Sequence, residues 1–153
     1  MDALINNQNR IPDEIIIVNG GGKNDCQEIL IKWKSIFSNL KIIKTENINL
    51  ANSRNIGLPY CKGDLILQTD DDARPFPDWI EMIEEAHEKY PYAGVIGGDV
   101  IDAGRGYNFL SKIADASIFP HNDITCEVRT VAGVNSSYKK EVIEQVGEYD
   151  TFL

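Results

Sequence analysis

The sequence predicts an α/β domain in which a mostly parallel sheet is flanked by helices. Three observations carry that prediction. Short apolar runs alternate with stretches whose apolar residues recur at helical spacing. The runs are bounded by Asn, Gly or Asp, as buried strands are when they break into loops. No internal repeat, low-complexity stretch or linker divides the 153 residues, a length that suits one domain around one core.

The first strand is read at "EIIIV" (14–18), ended by Asn19 and three glycines. A helix is expected over "NDCQEILIKWKSIFSN". Asn24 would cap it, Gln27 would take the reciprocal capping position, and Cys26, Ile29, Leu30, Trp33 and Phe37 would share its inner face. "KIIKT" (41–45) is a second strand, and "LANSRNIGL" a short helix stopped by Pro59. "DLILQT" (64–69) is a third strand, leading into Asp70, Asp71 and Asp72. Pro77 and Asp78 suit the start of the next helix, whose buried stripe is Trp79, Ile80, Ile83 and Ala86, and Tyr90-Pro91 ends it. "AGVIGGDVI" and "TVAGVN" are read as later strands, and "KKEVIEQVG" as a helix closed by Gly147.

A net charge of −9 argues against nucleic acid or an anionic membrane as partner, and means that a phosphate ester would need a divalent cation to bind. Cys26, Cys61 and Cys126 have no metal-ligand spacing and are read as reduced residues of a cytoplasmic protein. Asn135-Ser136-Ser137 fits a glycosylation sequon, which carries no meaning in that compartment. His87 and His121 have no partner spacing and are read as incidental.

Ligands of open α/β sheets bind beyond the carboxyl ends of strands, where both "VNGGGKND" and "TDDDARP" fall. If the strand alternation continues into the triplet, Asp70 and Asp72 point the same way and Asp71 elsewhere. Two readings of the triplet stand. It is a solvated turn, or its carboxylates hold Mg²⁺ or Mn²⁺, which take oxygen ligands and leave places for phosphate oxygens. The buried strand before it and the helix start after it favour the second. "NGGGKN" fails as a phosphate loop, because Ile17 stands where the first glycine is needed and Asn24 where Ser or Thr is needed. It fails as a dinucleotide fingerprint too, since Asp25 replaces the last glycine. The glycines instead allow a sharp turn and close approach to a flat ligand. Arg54, on the helix before the third strand, could help neutralise a diphosphate.

In order along the chain, "RIPDEIIIVNGG", "NLANSRNIGL", "GDLILQTDDDARPFPDWIE", "GVIGGDV" and "VAGVNSSYKKEVIEQVGEYDTF" resemble segments of the family 2 glycosyltransferases. These are GT-A fold enzymes that move a sugar from a nucleotide-diphosphate donor to an acceptor hydroxyl. The resemblance implies a metal, Mn²⁺ or Mg²⁺, on Asp72 with Asp70, and a donor site formed by Asn19, Arg54, Asn55, Asp70 and Asp71. Asn19 stands where the family usually has an aspartate that reads the nucleobase. The resemblance further implies an inverting transfer, a role in cell-surface polysaccharide synthesis, and a saccharide, lipid-linked or protein acceptor.

Members also have a strand before the first helix and an acidic pair after the Gly-x-Phe/Tyr-Asp segment. Residues 1–153 are therefore expected to form a single GT-A domain fragment lacking both, with the catalytic base beyond Leu153 and the parent enzyme at the inner face of the membrane. Exposed sheet edges would invite homodimerisation. The rivals are a degenerate module that binds a sugar nucleotide or a partner without chemistry, and a nucleotidyltransferase, whose glycine-rich basic loop is missing. Haloacid-dehalogenase-type phosphoryl transfer needs Thr or Val after Asp-x-Asp-x, and neither Ala73 nor Arg74 supplies it.

Overall fold

The computed structural model describes residues 1–20, 26–46, 49–100 and 125–152. The chain opens with a short helix, α1 (Asp2–Ile5), followed by β1 (Ile15–Asn19), α2 (Gln27–Ile36) and β2 (Leu40–Lys44). Next come α3 (Leu50–Gly57), a 3-10 turn at Leu58–Tyr60, β3 (Leu65–Gln68), α4 (Trp79–Lys89) and β4 (Val95–Gly97). The last elements are β5 (Ser136–Lys139) and α5 (Lys140–Val146). Among the described residues no helix is long and apolar enough to cross a membrane.

β1 and β2 pair in parallel, from Ile15 opposite Leu40 to Asn19 opposite Lys44. Their period of two is visible in the packing. Ile15 and Ile17 turn to one face and join Ile5, Leu40, Trp33 and Phe37 in the core beneath α1 and α2. Ile16 and Val18 turn to the other, where Gly57 brings α3 so close that a β-carbon on it would stand 3.3 Å from Val18. On α2, Leu30 is buried, but Ile29 and Cys26 are exposed, so the apolar face is narrower than the spacing suggests. Asn24 lies outside the described residues, and Cys26 occupies the cap position of α2. Asn49 caps α3, its side chain accepting from the Asn52 amide at 2.8 Å.

The second sheet has the order β3-β5-β4, with β5 antiparallel to both neighbours, so the α/β fold is mixed rather than wholly parallel. The strand expected at "TVAGVN" is not one. Asn135 donates its amide to the Ala132 carbonyl at 3.0 Å, closing a turn, and the strand begins after it at Ser136. Ser136 and Ser137 are fully buried despite their hydroxyls, because each hydroxyl donates to a backbone carbonyl, Ser137 to Ile96 at 3.1 Å and Ser136 to Gly133 at 3.4 Å. An apolar run is thus a turn here, and a polar run the central strand. Gly147 ends α5 with φ of 91°, a conformation that favours glycine.

Glutamine and glutamate side chains fasten these elements. The Gln8 amide donates to the carbonyls of Ala3 and Phe76 at 3.0 and 2.7 Å, while its oxygen accepts from Ile80. Glu14 accepts the amides of Lys62 and Gly63, joining the start of β1 to the approach of β3.

His87 is not incidental. It is buried on α4 with Ile80 and Ile83, one and two turns along the same stripe. Its Nε2 lies 2.9 Å from Ser137 Oγ, whose proton is directed to Ile96, so the ring takes the Nε2–H tautomer and donates. Nδ1 is buried and has no partner among the described residues. Burial, aided by the nearby Lys139 cation, holds the imidazole below its ordinary pKa of 6.5. The unfolded chain therefore binds a proton that the folded chain refuses. The stability from neutral His87 is complete above pH 6.5 and is lost as pH falls through the lower folded value. Thermal midpoints recorded downward from pH 7.5 should fall more steeply for the wild type than for His87→Asn, and parallel curves would refute this role.

Candidate functional site

β3 ends at Gln68, two residues before the acidic triplet, and the chain then turns: Ala73 donates its amide to the Asp70 carbonyl at 3.2 Å. The alternation that would set Asp70 and Asp72 on one side of a strand therefore does not run through the triplet. A turn from Asp70 to Ala73 presents these carboxylates instead, with Asp70 half-buried and Asp71 and Asp72 exposed. Ion pairs among the described residues join Arg10 to Asp13 and Glu84, so the triplet has no counter-cation there.

The return path from the turn is held firmly. Asn9 donates to Pro77 O at 2.8 Å and Gln8 grips Phe76 O. Trp79, the first residue of α4, donates its indole N–H to Asn135 Oδ1 at 2.8 Å, and the Asn135 amide donates to Asp99 O at 2.9 Å. The acidic turn is thus strung between two fixed ends.

Arg54 comes to the same region from α3. Its guanidinium carbon lies 5.4 Å from the centre of the Tyr149 ring, a cation–π contact. A β-carbon on Gly133 would stand 2.7 Å from Arg54 Nη2, so the guanidinium rests against bare backbone. Beside it, Gln68 closes a bridge: it donates to Gly133 O at 2.6 Å and accepts the Tyr149 hydroxyl at 3.0 Å. Burial raises the Tyr149 phenol above its ordinary pKa, Tyr138 raises it further, and Arg54 pulls the other way. The phenol therefore stays protonated and remains a donor to Gln68 at neutral pH.

Asn55, adjacent to Arg54, faces the Tyr149 backbone. Its amide donates to Tyr149 O and its oxygen accepts from Tyr149 N, both at 2.8 Å. Both ends of that side chain are engaged in clasping the Tyr149 backbone onto α3. Asn19 ends β1, and its carbonyl accepts from Thr45 at 3.0 Å. The glycine run beyond Gly20, with Lys23 and Asp25, lies outside the described residues, as do His121 and Leu153.

A divalent cation would find oxygen donors at the acidic turn but no closed cage. Among the described residues no three His, Cys, Asp or Glu side chains are grouped to hold a metal. Open carboxylate sites of this kind suit Mg²⁺ or Mn²⁺, which bind through one or two carboxylates and complete their shell with water and phosphate oxygens. Asp70, Asp71 and Asp72 are the residues of the turn that could hold such an ion together with an anionic ligand.

The structure brings Arg54, Gln68, Gly133, Asn55 and Tyr149 together at the end of β3. Sequence reasoning missed Gln68, although a lone amide ending the apolar run "LIL" was a legible signal. It also missed Gly133, whose role depends on a contact from a distant helix.

Residues 2–147 match the family described as glycosyl transferase family 2. The chain is 29% identical over 149 residues to a glucosyl-dolichyl phosphate glucuronosyltransferase of Haloferax volcanii, covering 92% of this chain and 47% of that protein. It is 28% identical over 151 residues to a poly-beta-1,6-N-acetyl-D-glucosamine synthase of Staphylococcus epidermidis, covering 90% and 35%. Among solved structures, residues 1–349 of TarS from S. aureus superpose with a TM-score of 0.69 at 18% identity, covering 94% of this chain and 43% of that one. The mannosyltransferase PcManGT of Pyrobaculum calidifontis, solved with GDP-Man and Mn²⁺, gives 0.72 at 18%, covering 97% and 42%. The chain spans about half the length, or less, of each protein it resembles.

If Asn55 clasps the Tyr149 backbone, Asn55→Ala leaves both peptide groups unpartnered. It should lower unfolding stability by about 1–3 kcal/mol in urea titration. An unchanged midpoint would contradict the clasp.

Proposed function

The chain belongs to glycosyl transferase family 2, and we propose that it forms the donor-binding part of an enzyme that transfers a sugar from a nucleoside-diphosphate donor to an acceptor hydroxyl. The observation that carries this reading is a separation of charge at the end of β3. Three carboxylates stand there without a cation, and Arg54 stands nearby without an anion, among the described residues. A diphosphate accompanied by a divalent cation is a ligand that answers both. The GDP-Man and Mn²⁺ bound to PcManGT, and the UDP bound to TarS, support the same ligand class.

In this reading Asp72, with Asp70, holds Mn²⁺ or Mg²⁺, and Asp70 and Asp71 border the donor. When bound, the ion supplies Lewis-acid stabilisation of negative charge on the diphosphate. Arg54 meets phosphate oxygens through a planar fork of N–H donors, which suits it better than a point charge would. Asn19, at the end of β1, borders the nucleobase. Asn55 serves the donor site indirectly, by fixing the segment that carries Tyr149.

Transfer is inverting: the acceptor hydroxyl attacks the anomeric carbon from the face opposite the diphosphate, the carbon–oxygen bond to the diphosphate breaks, and the hydroxyl proton passes to a base. Asp150, whose Oδ1 accepts the Phe152 amide at 2.9 Å, is not assigned that role, because the resemblance places the base in an acidic pair that follows this segment. A second reading, a module that binds a sugar nucleotide without chemistry, is favoured by Asn19, which keeps an acceptor oxygen but lacks the charge of the aspartate usual in the family. Donor consumption by the protein separates the two.

UDP and GDP should each be tested by calorimetry with Mn²⁺. We expect binding of at least one, an affinity lower by roughly tenfold or more in Asp72→Ala, and no binding in excess chelator. Equal affinity in the variant, or in chelator, would contradict the metal assignment.

A further inference from the structure

Arg54 lies in surroundings that deprive it of freedom without giving it a counter-charge. One side is the Tyr149 ring, 5.4 Å from the guanidinium carbon. Another is the bare Cα of Gly133, where any side chain would intrude, since a β-carbon would come within 2.7 Å of Nη2. The Gln68 amide closes the space between them, bonded to the Gly133 carbonyl at one end and to the Tyr149 hydroxyl at the other. Tyr149 is itself immobilised. Its backbone is clasped by Asn55, and its ring stands edge-on to Tyr138, with centroids 6.4 Å apart. Holding an arginine half-buried beside neutral groups is unfavourable unless something else meets its remaining donors.

We propose that Gly133, Gln68 and Tyr149 form a cradle that positions the Arg54 guanidinium for the diphosphate of the donor. They are positioning residues and do not themselves touch the ligand. This rests on the donor-binding reading above and adds to it a cause for the arginine's orientation. The cradle gives the ring of Tyr149 a use that its phenolic proton does not have, because that proton is committed to Gln68. It also explains why glycine stands at 133. Its φ is not in the left-handed region, where glycine would be favoured for its backbone alone, so the absence of a side chain there serves the neighbour rather than the backbone.

That last point supplies a clean variant. Gly133→Ala suits the backbone, and the nearest atom it would strike is the far end of the Arg54 side chain, with Gln68 Nε2 next at 3.3 Å, so the guanidinium must move away while the Gln68 amide gives by only a few tenths of an ångström. With Mn²⁺ and whichever of UDP or GDP binds, calorimetry should show that Gly133→Ala loses roughly ten- to hundredfold in affinity, as expected when a charged hydrogen bond to phosphate is removed. In an Arg54→Gln background the same substitution should cost much less, because the group it displaces most is gone and only the contact with Gln68 Nε2 remains. Tyr149→Leu should weaken binding as Gly133→Ala does, and Tyr149→Phe, which keeps the ring, should recover most of the loss. If Gly133→Ala has no effect, or the same effect in both backgrounds, the cradle is overturned while the donor-binding reading stands. If the wild type binds neither nucleotide with Mn²⁺, that reading falls and the cradle falls with it.

Discussion

Charged groups of both signs that form no ion pair among the described residues stand near the end of β3, and the proposed function depends on them. Arg54 is held against an aromatic ring and bare backbone, and Asp70, Asp71 and Asp72 occupy a turn two residues past Gln68, which helps hold that arginine. The arginine is restrained by Tyr149 and Gly133, and the carboxylates are carried by a turn. The result is a surface that presents cationic donors and anionic acceptors separately. A metal-bound diphosphate has both complements in one ligand.

The scaffold that maintains this separation is joined mainly by neutral amides. Gln8, Asn55, Gln68 and Asn135 each link segments far apart in the chain, and each uses both its donor and its acceptor. A side-chain amide can satisfy a peptide N–H and a peptide C=O together, without the desolvation cost of burying a charge. Ion pairs among the described residues, by contrast, all involve Arg10, at the surface. In the proposed reading, this neutral fastening leaves the donor as the principal partner for the charged groups.

Much of the fold was legible in the sequence because it follows from periodicity. "EIIIV", "KIIKT" and "DLILQT" each coincide with a strand to within one or two residues, and Gly147 closes the last helix where its left-handed φ is required. One failure arises because apolarity stands in only imperfectly for burial. "VAGVN" is a turn and "SSYK" a central strand, because two serines small enough to be enclosed satisfy their hydroxyls on backbone carbonyls. His87 looked isolated because its partner, Ser137, is fifty residues away. At the site, Arg54 and the aspartates announced themselves through residue type and position. Their direct supports did not, since Gly133 and Tyr149 matter through contacts made only in the folded chain. The strand alternation expected to pair Asp70 with Asp72 gave way to a turn for a local reason, the bond from Ala73 to the Asp70 carbonyl.

The central claim is that the acidic turn and the cradled arginine are completed by one ligand. Its most direct test is a crystal structure grown with Mn²⁺ and a nucleoside diphosphate. The account predicts a metal bound to an aspartate of the 70–72 turn and to phosphate oxygens, with the Arg54 guanidinium hydrogen-bonded to the same diphosphate and still seated against Gly133 and Tyr149. A nucleotide bound away from that turn, or bound there with Arg54 swung into a salt bridge with the aspartates, would contradict it.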